Sequence, residues 1–274
     1  MRTILFTILA FCAVTLTAQN SITINGKIID EEGRAVEYAT IGIPGTESGT
    51  LSGIDGHFTL TLPQECNDTL IITHVSYNEN RIPAAVYRSH ADTLSITMQP
   101  RQLRELIVYN GKRKRGKLMG KGMRIAGAVT EWNVSHIGCE VGSVISTDKV
   151  FEVREIKFKV LTNSLKGVKF SVNIYKANEE KSEFTGITAK PIYIDIPTCQ
   201  SKKEYTIEPE EDIYLEPGTY YVSLKLVDTD RSEPQEGQIL FPLYLKSSYI
   251  RKGPVEELEK IPMNLGLQIK GYIM

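Results

Sequence analysis

Gly49-Thr50-Leu51-Ser52-Gly53-Ile54-Asp55-Gly56-His57-Phe58-Thr59-Leu60-Thr61-Leu62-Pro63 reads as a turn feeding a strand. Phe58, Leu60 and Leu62 recur at period two, with Thr59 and Thr61 between them. That spacing puts apolar side chains on one face of a strand and polar ones on the other. Asp55-Gly56 ahead of it is turn chemistry, because Gly supplies positive φ and Asp tolerates it. The same rhythm repeats outward. Ile22, Ile24 and Ile28 share a face with Gly26. Ala39, Ile41 and Ile43 form a second set, Ile71, Thr73, Val75 and Tyr77 a third, and Leu94, Ile96 and Met98 a fourth. Turn formers separate them: Asp30-Glu31-Glu32-Gly33, Pro44-Gly45, Pro63 and Asn67-Asp68. Short strands with one apolar face imply sheets packed face to face. No stretch of this first block shows helical periodicity.

Beyond Arg124 the alternation returns. Val168, Phe170, Val172 and Ile174 interleave with Lys169, Ser171, Asn173 and Tyr175. Tyr220, Val222, Leu224 and Leu226 interleave with Tyr221, Ser223, Lys225 and Val227. Ile239, Phe241, Leu243 and Leu245 form another set, and Leu265, Leu267 and Ile269 the last. Between Phe151 and Val160 the phase slips: Phe151 and Val153 lie on one parity, Ile156, Phe158 and Val160 on the other. A one-residue slip turns the side chains over unless a bulge absorbs it, so a bulge is expected at Arg154-Glu155. The one helix expected here is short, over Val255–Glu259. The fold class is all-β, two sandwiches in series, the second jelly-roll-like.

The first block carries a recognisable set of residues: Ile24-Asn25-Gly26-Lys27-Ile28-Ile29-Asp30, Gly33, Ala39-Thr40-Ile41, and Gly49-Thr50 through Asp55-Gly56 to Phe58. It resembles the carboxypeptidase-regulatory-like domain, whose fold is a seven-stranded transthyretin-like sandwich. The resemblance covers about residues 22–109. Ala35 stands where that family often has proline, and Gly53 where it favours aspartate. The same domain precedes the plug of many TonB-dependent receptors, and Leu103-Arg104-Glu105-Leu106-Ile107-Val108 is similar to the strand that ends it there. Too little chain follows for a plug and large barrel. The second block is similar to the C-terminal sandwich attached to this domain in a group of secreted proteins; that likeness implies architecture and no chemistry.

The N-terminus orders Met1-Arg2, an apolar run Ile4–Val14 and Thr15–Gln19, as a secretory signal peptide does. The run is too short for a bilayer span, which needs roughly 20 residues. The expected organisation is a signal peptide 1–18 cut after Ala18, a carboxypeptidase-regulatory-like domain 22–109, a basic linker 110–124 and a C-terminal sandwich 125–274. The implied location is exported, in the periplasm or at the outer-membrane surface of a Gram-negative bacterium. The formal net charge of −1 conceals the layout. Residues 101–124 hold nine basic residues against Glu105 alone, while residues 19–100 hold four basic and ten acidic. Such shifts mark boundaries. Cys66, Cys139 and Cys199 remain after the signal peptide, an odd number without close spacing. A Cys139–Cys199 bridge and three separate thiols are both open.

Chemistry is sparse. A zinc carboxypeptidase needs a His and a Glu close together plus a distant His. His57, His74, His90 and His136 show no H-x-x-E or H-E-x-x-H spacing, and His136-Ile137-Gly138-Cys139-Glu140 fits no zinc pattern. Ser52-Gly53 has no strand-turn-helix around it to make a nucleophile elbow. No catalytic, cofactor or metal residues are assigned, and the chain is expected not to be an enzyme. Glu208-Pro209-Glu210-Glu211-Asp212 and Asp228-Thr229-Asp230 offer oxygens to calcium without its loop pattern. Trp132, Tyr193, Tyr221 and Tyr244 are candidates to stack on sugars, core packing being the alternative. Asn67-Asp68-Thr69-Leu70 and Ala91-Asp92-Thr93-Leu94 echo one another. Their Asp-Thr-Leu triplet resembles the O-glycosylation acceptor of some Gram-negative envelope proteins, which makes Thr69 and Thr93 candidate sites. The basic linker is either solvated or a contact for anionic lipid; nucleic acid does not suit an exported protein. The function expected is a non-catalytic envelope binding or adaptor module recognising protein or glycan. The alternatives are an accessory subunit of an envelope hydrolase or transport complex, and a small outer-membrane barrel, against which the charges within the strands argue.

Overall fold

The computed structural model describes residues 21–101, 112–120, 122–230 and 236–274. The signal peptide and the Leu103–Val108 strand lie outside those residues. The first sandwich contains β1 (Ser21–Asp30), β2 (Thr40–Gly42), β3 (Gly49–Leu51), β4 (His57–Pro63), β5 (Leu70–His74), β6 (Tyr77–Ile82), a short helix α1 (Ala84–Ser89) and β7 (Leu94–Met98). One sheet orders β4-β1-β7, the other β3-β2-β5-β6. β1 is antiparallel to β4 and parallel to β7. Ile24, Ile28, Ile41, Phe58, Leu60, Leu62, Leu70, Ile72, Ile96 and Met98 form the core between the sheets. Gly26 is needed where it stands, because a Cβ there would sit 2.6 Å from the Phe58 ring and from the Leu94 carbonyl.

Two expectations for this block are corrected. The core face of β5 is Leu70 and Ile72, whereas Thr73 is exposed and Ile71 only partly buried. The phase Ile71, Thr73, Val75, Tyr77 is therefore off by one. Ile71 is apolar too, so the run gives no contrast between faces. Helix α1 was not expected. Its six residues are fewer than two turns, too short to show a 3.6-residue period. It is held by tertiary contacts instead: Tyr87 is fully buried and its hydroxyl donates to the Asp68 carbonyl at 3.0 Å, while Arg88 Nε donates to the Cys66 carbonyl at 3.2 Å.

The second sandwich contains β8 (Lys114–Met119), β9 (Met123–Trp132), β10 (Glu140–Thr147), β11 (Phe151–Val160), β12 (Thr162–Asn163), β13 (Val168–Ala177), β14 (Phe184–Gly186), β15 (Ile192–Ile196), β16 (Lys203–Ile207), β17 (Ile213–Leu215), β18 (Gly218–Asp228), β19 (Ile239–Arg251), β20 (Glu259–Asn264) and β21 (Gln268–Ile273). A nine-stranded sheet runs β12-β19-β10-β18-β13-β14, with β9 and β20 also on β19 and β15 on β13. A five-stranded sheet runs β16-β11-β21-β8, with β17 on β11. The core between them holds Trp132, Phe158, Phe170 and Phe241, rings 5.5–6.4 Å apart. The expected bulge is present: the β11–β21 register shifts between Val153 and Glu155, which returns Phe151, Val153, Ile156 and Phe158 to one interior.

Two expectations differ here. Residues 114–119 of the expected linker are β8, the edge of the five-stranded sheet, antiparallel to β21. An edge strand leaves one side in water, so Arg115 and Lys117 stay solvated while Gly116 and Leu118 face inward. No helix forms over Val255–Glu259. Pro254 packs on Gly138, and Val255 reaches the first sandwich, where its side chain would meet a Cβ at Gly42 or Gly49 at 2.8 Å. Gly45 N–H donates to the Val255 carbonyl at 3.0 Å. Cys66, Cys139 and Cys199 are all free thiols, and Cys139 donates to the Lys252 carbonyl.

Candidate functional site

Strand β2 is buried on both faces, Thr40 and Gly42 included, because the outer face of its sheet packs against the second sandwich. That contact makes the site. Lys225 Nζ on β18 donates to Thr40 Oγ1 at 2.7 Å, and Tyr38 O–H donates to Asp228 Oδ2 at 3.3 Å. The Tyr38 and Tyr193 rings meet edge to face at 5.3 Å. Tyr38, Leu51 and Val227 form a small apolar cluster between the two main cores. Beside this seam opens a cleft of about 530 Å³, lined from both sandwiches. That volume suits a small ligand or part of a polymer.

The cleft floor follows from strand register. On β13 and β18 the polar sets, not the apolar ones, face outward from the core. Pairing puts Asn173 opposite Ser223, Ser171 opposite Lys225 and Tyr175 opposite Tyr221. β10 adds Glu140, which is fully buried. Glu140 accepts from the Ser223 hydroxyl, from Asn173 Nδ2 at 3.4 Å and from the Tyr175 hydroxyl at 3.5 Å, and it lies 3.4 Å from Arg251 Nε. A buried carboxylate persists only with partners of this kind. Burial lowers the Lys225 pKa to about 8; Glu140 opposes the shift and the Arg251 charge adds to it. Burial, with the Lys225 charge adding, lowers the His74 pKa to about 4, so the ring is neutral. Burial likewise pushes the Tyr175 and Tyr221 hydroxyls well above their ordinary range.

Two donors at this floor are left over. Ser76 N–H donates to His74 Nδ1 at 3.1 Å, so the neutral ring carries its proton on Nε2. That buried Nε2 has no hydrogen-bond partner, and neither does Arg251 Nε, which Glu140 holds only as an ion pair. Buried polar groups without partners are uncommon in folded proteins. Here both line an open cleft.

The residues singled out from the sequence scatter. Trp132, Tyr221 and Tyr244 are buried in the protein and offer no ring face to a sugar; Tyr193 alone of the four lines the cleft. Thr69 and Thr93 are exposed, each directly before a strand whose first residue, Leu70 or Leu94, enters the core. The Asp-Thr-Leu echo thus falls at the entries of two strands, one in each sheet. In the acidic loop, Glu211 accepts from the Ala189 and Lys190 amides and Asp212 pairs with Arg154. Among the described residues no group of three or more His, Cys, Asp or Glu is placed to hold a metal ion. His136 serves to cap the turn Val134–His136 through the Asn133 amide. Lys225 and Arg251 belong to no motif in the sequence, and His74 and Glu140 enter it only in spacings that fail for zinc. The signal was present as Ser171, Asn173, Ser223 and Lys225 on the polar parity of two strands, but it converges only once their register is known.

Fold and site define a pair of β-sandwiches joined by a polar cleft. Residues 24–108 match the CarboxypepD_reg-like domain family, so the first sandwich is a carboxypeptidase-regulatory-like domain. No curated protein matches the chain. Solved structures similar to it include that of infectious bursal disease virus Gx strain, at 9% identity and TM-score 0.25, covering 92% of this chain and 55% of that one. The cysteine protease and lectin-like domains of a surface layer associated protein of Clostridium difficile match at 9% identity and TM-score 0.25, covering 87% and 59%. A carbohydrate-binding module of the beta-sandwich super family matches at 12% identity and TM-score 0.21, covering 81% and 96%. The chain thus spans about half the length of the first of these, 55%. Overlaps this low leave the fold to be read from this chain's own sheets.

Proposed function

We propose that this is a non-catalytic, exported binding module of the cell envelope whose ligand, a glycan, occupies the cleft between the two sandwiches. One observation carries the reading: the buried His74 Nε2 N–H has no acceptor, and Arg251 Nε has only its ion-pair contact with Glu140, at the floor of a cleft that Tyr38, Tyr175 and Tyr193 also line. A hydroxyl-rich ligand supplies acceptor oxygens to such donors and a face to the rings. The charged groups serve binding rather than bond-breaking on this reading, because Glu140 is already engaged by four neighbours and Lys225 is tied to Thr40.

Glycan-array binding of the purified chain tests it, repeated with Tyr193→Ala and His74→Phe. Retention of one glycan class and its loss in both folded variants is the expected result. Retention unchanged in both would remove the cleft. An array without any retained glycan, beside an envelope protein co-purifying with the native chain but not with Tyr193→Ala, would make the ligand a protein segment.

A further inference from the structure

We infer a second interaction surface, away from the cleft: the outward side of β8 and the exposed first half of β9 are built to lie against an anionic lipid surface. The two strands are consecutive in the chain but belong to different sheets: among the described residues β8 pairs only with β21 and β9 only with β19. β8 alternates: Gly116 and Leu118 face the core, and Arg115, Lys117 and Met119 face out. Lys270 stands directly across the ladder from Lys117 on that outer side. Like charges placed opposite one another are unfavourable, and Glu155 of β11, on the far side of Lys270, is the carboxylate nearest to that pair in the ladder. Lys114, Arg115, Lys117 and Arg124 form no ion pair among the described residues, whereas the preceding Arg113 pairs with Glu152.

Apolar side chains complete the surface. Pro242 of β19 pairs with Val129 and Tyr244 with Arg124, so four residues, Ile125 to Ala128, oppose a single one; Ile125, Ala126 and Gly127 are exposed there while Ala128 packs back on the core. Gly127 has φ +79° and would carry a Cβ into empty space. Met123 is 69% exposed and Leu245, its register partner, 46%; Ile125 and Val129 are exposed beside them. Exposed apolar side chains on β9, a few residues along the chain from the cations of β8 and next to Arg124, match the boundary between headgroups and acyl chains. They do not match strand addition by a second copy, because the bulge breaks the straight edge that pairing needs. β19 sets the distance to the cleft: Leu245 to Arg251 spans roughly 20 Å of strand, so one surface can be occupied while the other stays open.

Co-sedimentation of the purified chain with phosphatidylcholine vesicles, with and without phosphatidylglycerol, tests the assignment. Binding should require phosphatidylglycerol and fade in high salt, an arm that needs no variant. Arg115→Ser/Lys117→Ser/Arg124→Ser should weaken it on the order of a hundredfold, and Met123→Ser/Ile125→Ser should weaken it without altering its salt dependence. The equally charge-reducing Lys190→Ser/Lys202→Ser/Lys203→Ser should leave it close to native. No binding at low salt, equal binding to both vesicle types, or equal loss in the control triple overturns the proposal. So does self-association in sedimentation equilibrium that Met123→Ser/Ile125→Ser abolishes while vesicles bind nothing, since the strip would then belong to a second copy.

Discussion

Lys225 shows how one side chain can be placed by register and tuned by its neighbours. An ordinary lysine keeps its proton to about 10.5, and this one yields it from about 8. Between those values the unfolded chain binds more protons than the folded one, so stability rises with pH through that window. Above pH 9 the Cys139 thiol works in the opposite sense, because burial pushes it up to about 11. The clean interval is therefore pH 8 to 9. Thermal unfolding across it should show a melting temperature that climbs in the native chain and climbs less in Lys225→Met. Parallel slopes in the two proteins would mean that the lysine is not desolvated as described. Nothing in Leu224-Lys225-Leu226 announces this, since a charge between apolar neighbours is what any half-buried strand shows. The unusual fact is that the polar face is also covered, by the first sandwich.

Elements were legible where one face is dry and the other wet. β4, with burial alternating strictly from His57 to Pro63, was readable from its residues alone. β13 and β18 were readable as strands, but β18 buries both faces from Tyr220 to Leu224, so its period reports packing on two sides. The composition of β8 is that of a solvated segment and predicts a connector. Composition does not distinguish a loop from an edge strand that keeps its cations in water. Helix α1 is the opposite case, an element too short for periodicity that acts as a clamp. Its Tyr87 hydroxyl donates to the Asp68 carbonyl, and burial with the Cys66 contact raises its pKa to about 12. Tyr87→Phe keeps the ring and removes that tie on the turn between β4 and β5. The expected cost is about 1 kcal/mol, measured by denaturant unfolding. A variant as stable as the native chain would show that the helix holds without this hydroxyl, through packing and the Arg88 bonds.

At the scale of the molecule, two cores are coupled through a small seam. Val255 fits against Gly42 and Gly49, and Tyr38 bonds to Asp228. Neither core depends on Val255, so Val255→Asp should leave both folded while loosening their mutual position. Calorimetry should then resolve two unfolding transitions where the native chain shows more closely merged ones, and hydrogen exchange should quicken at Thr40 and Tyr38. One unchanged transition would mean that the seam holds without this residue. No single strand discloses the cleft, because its donors come from β5, β18 and β19, and only the docking of two sandwiches brings them together.

The pairing of β8 with β21 has a further consequence, for the time during which the chain is being made. Residues 114–119 emerge early, and their partner, residues 268–273, emerges only after every other strand of that domain. Neighbours so distant in the chain close late and slowly. Through that interval β8 is an unsatisfied edge with nothing to dock on. A run of lysines and arginines is the composition that keeps such a waiting strand from joining a neighbouring chain. The charge that would hold the finished protein to a lipid surface thus has an earlier use, keeping each chain to itself until it can close.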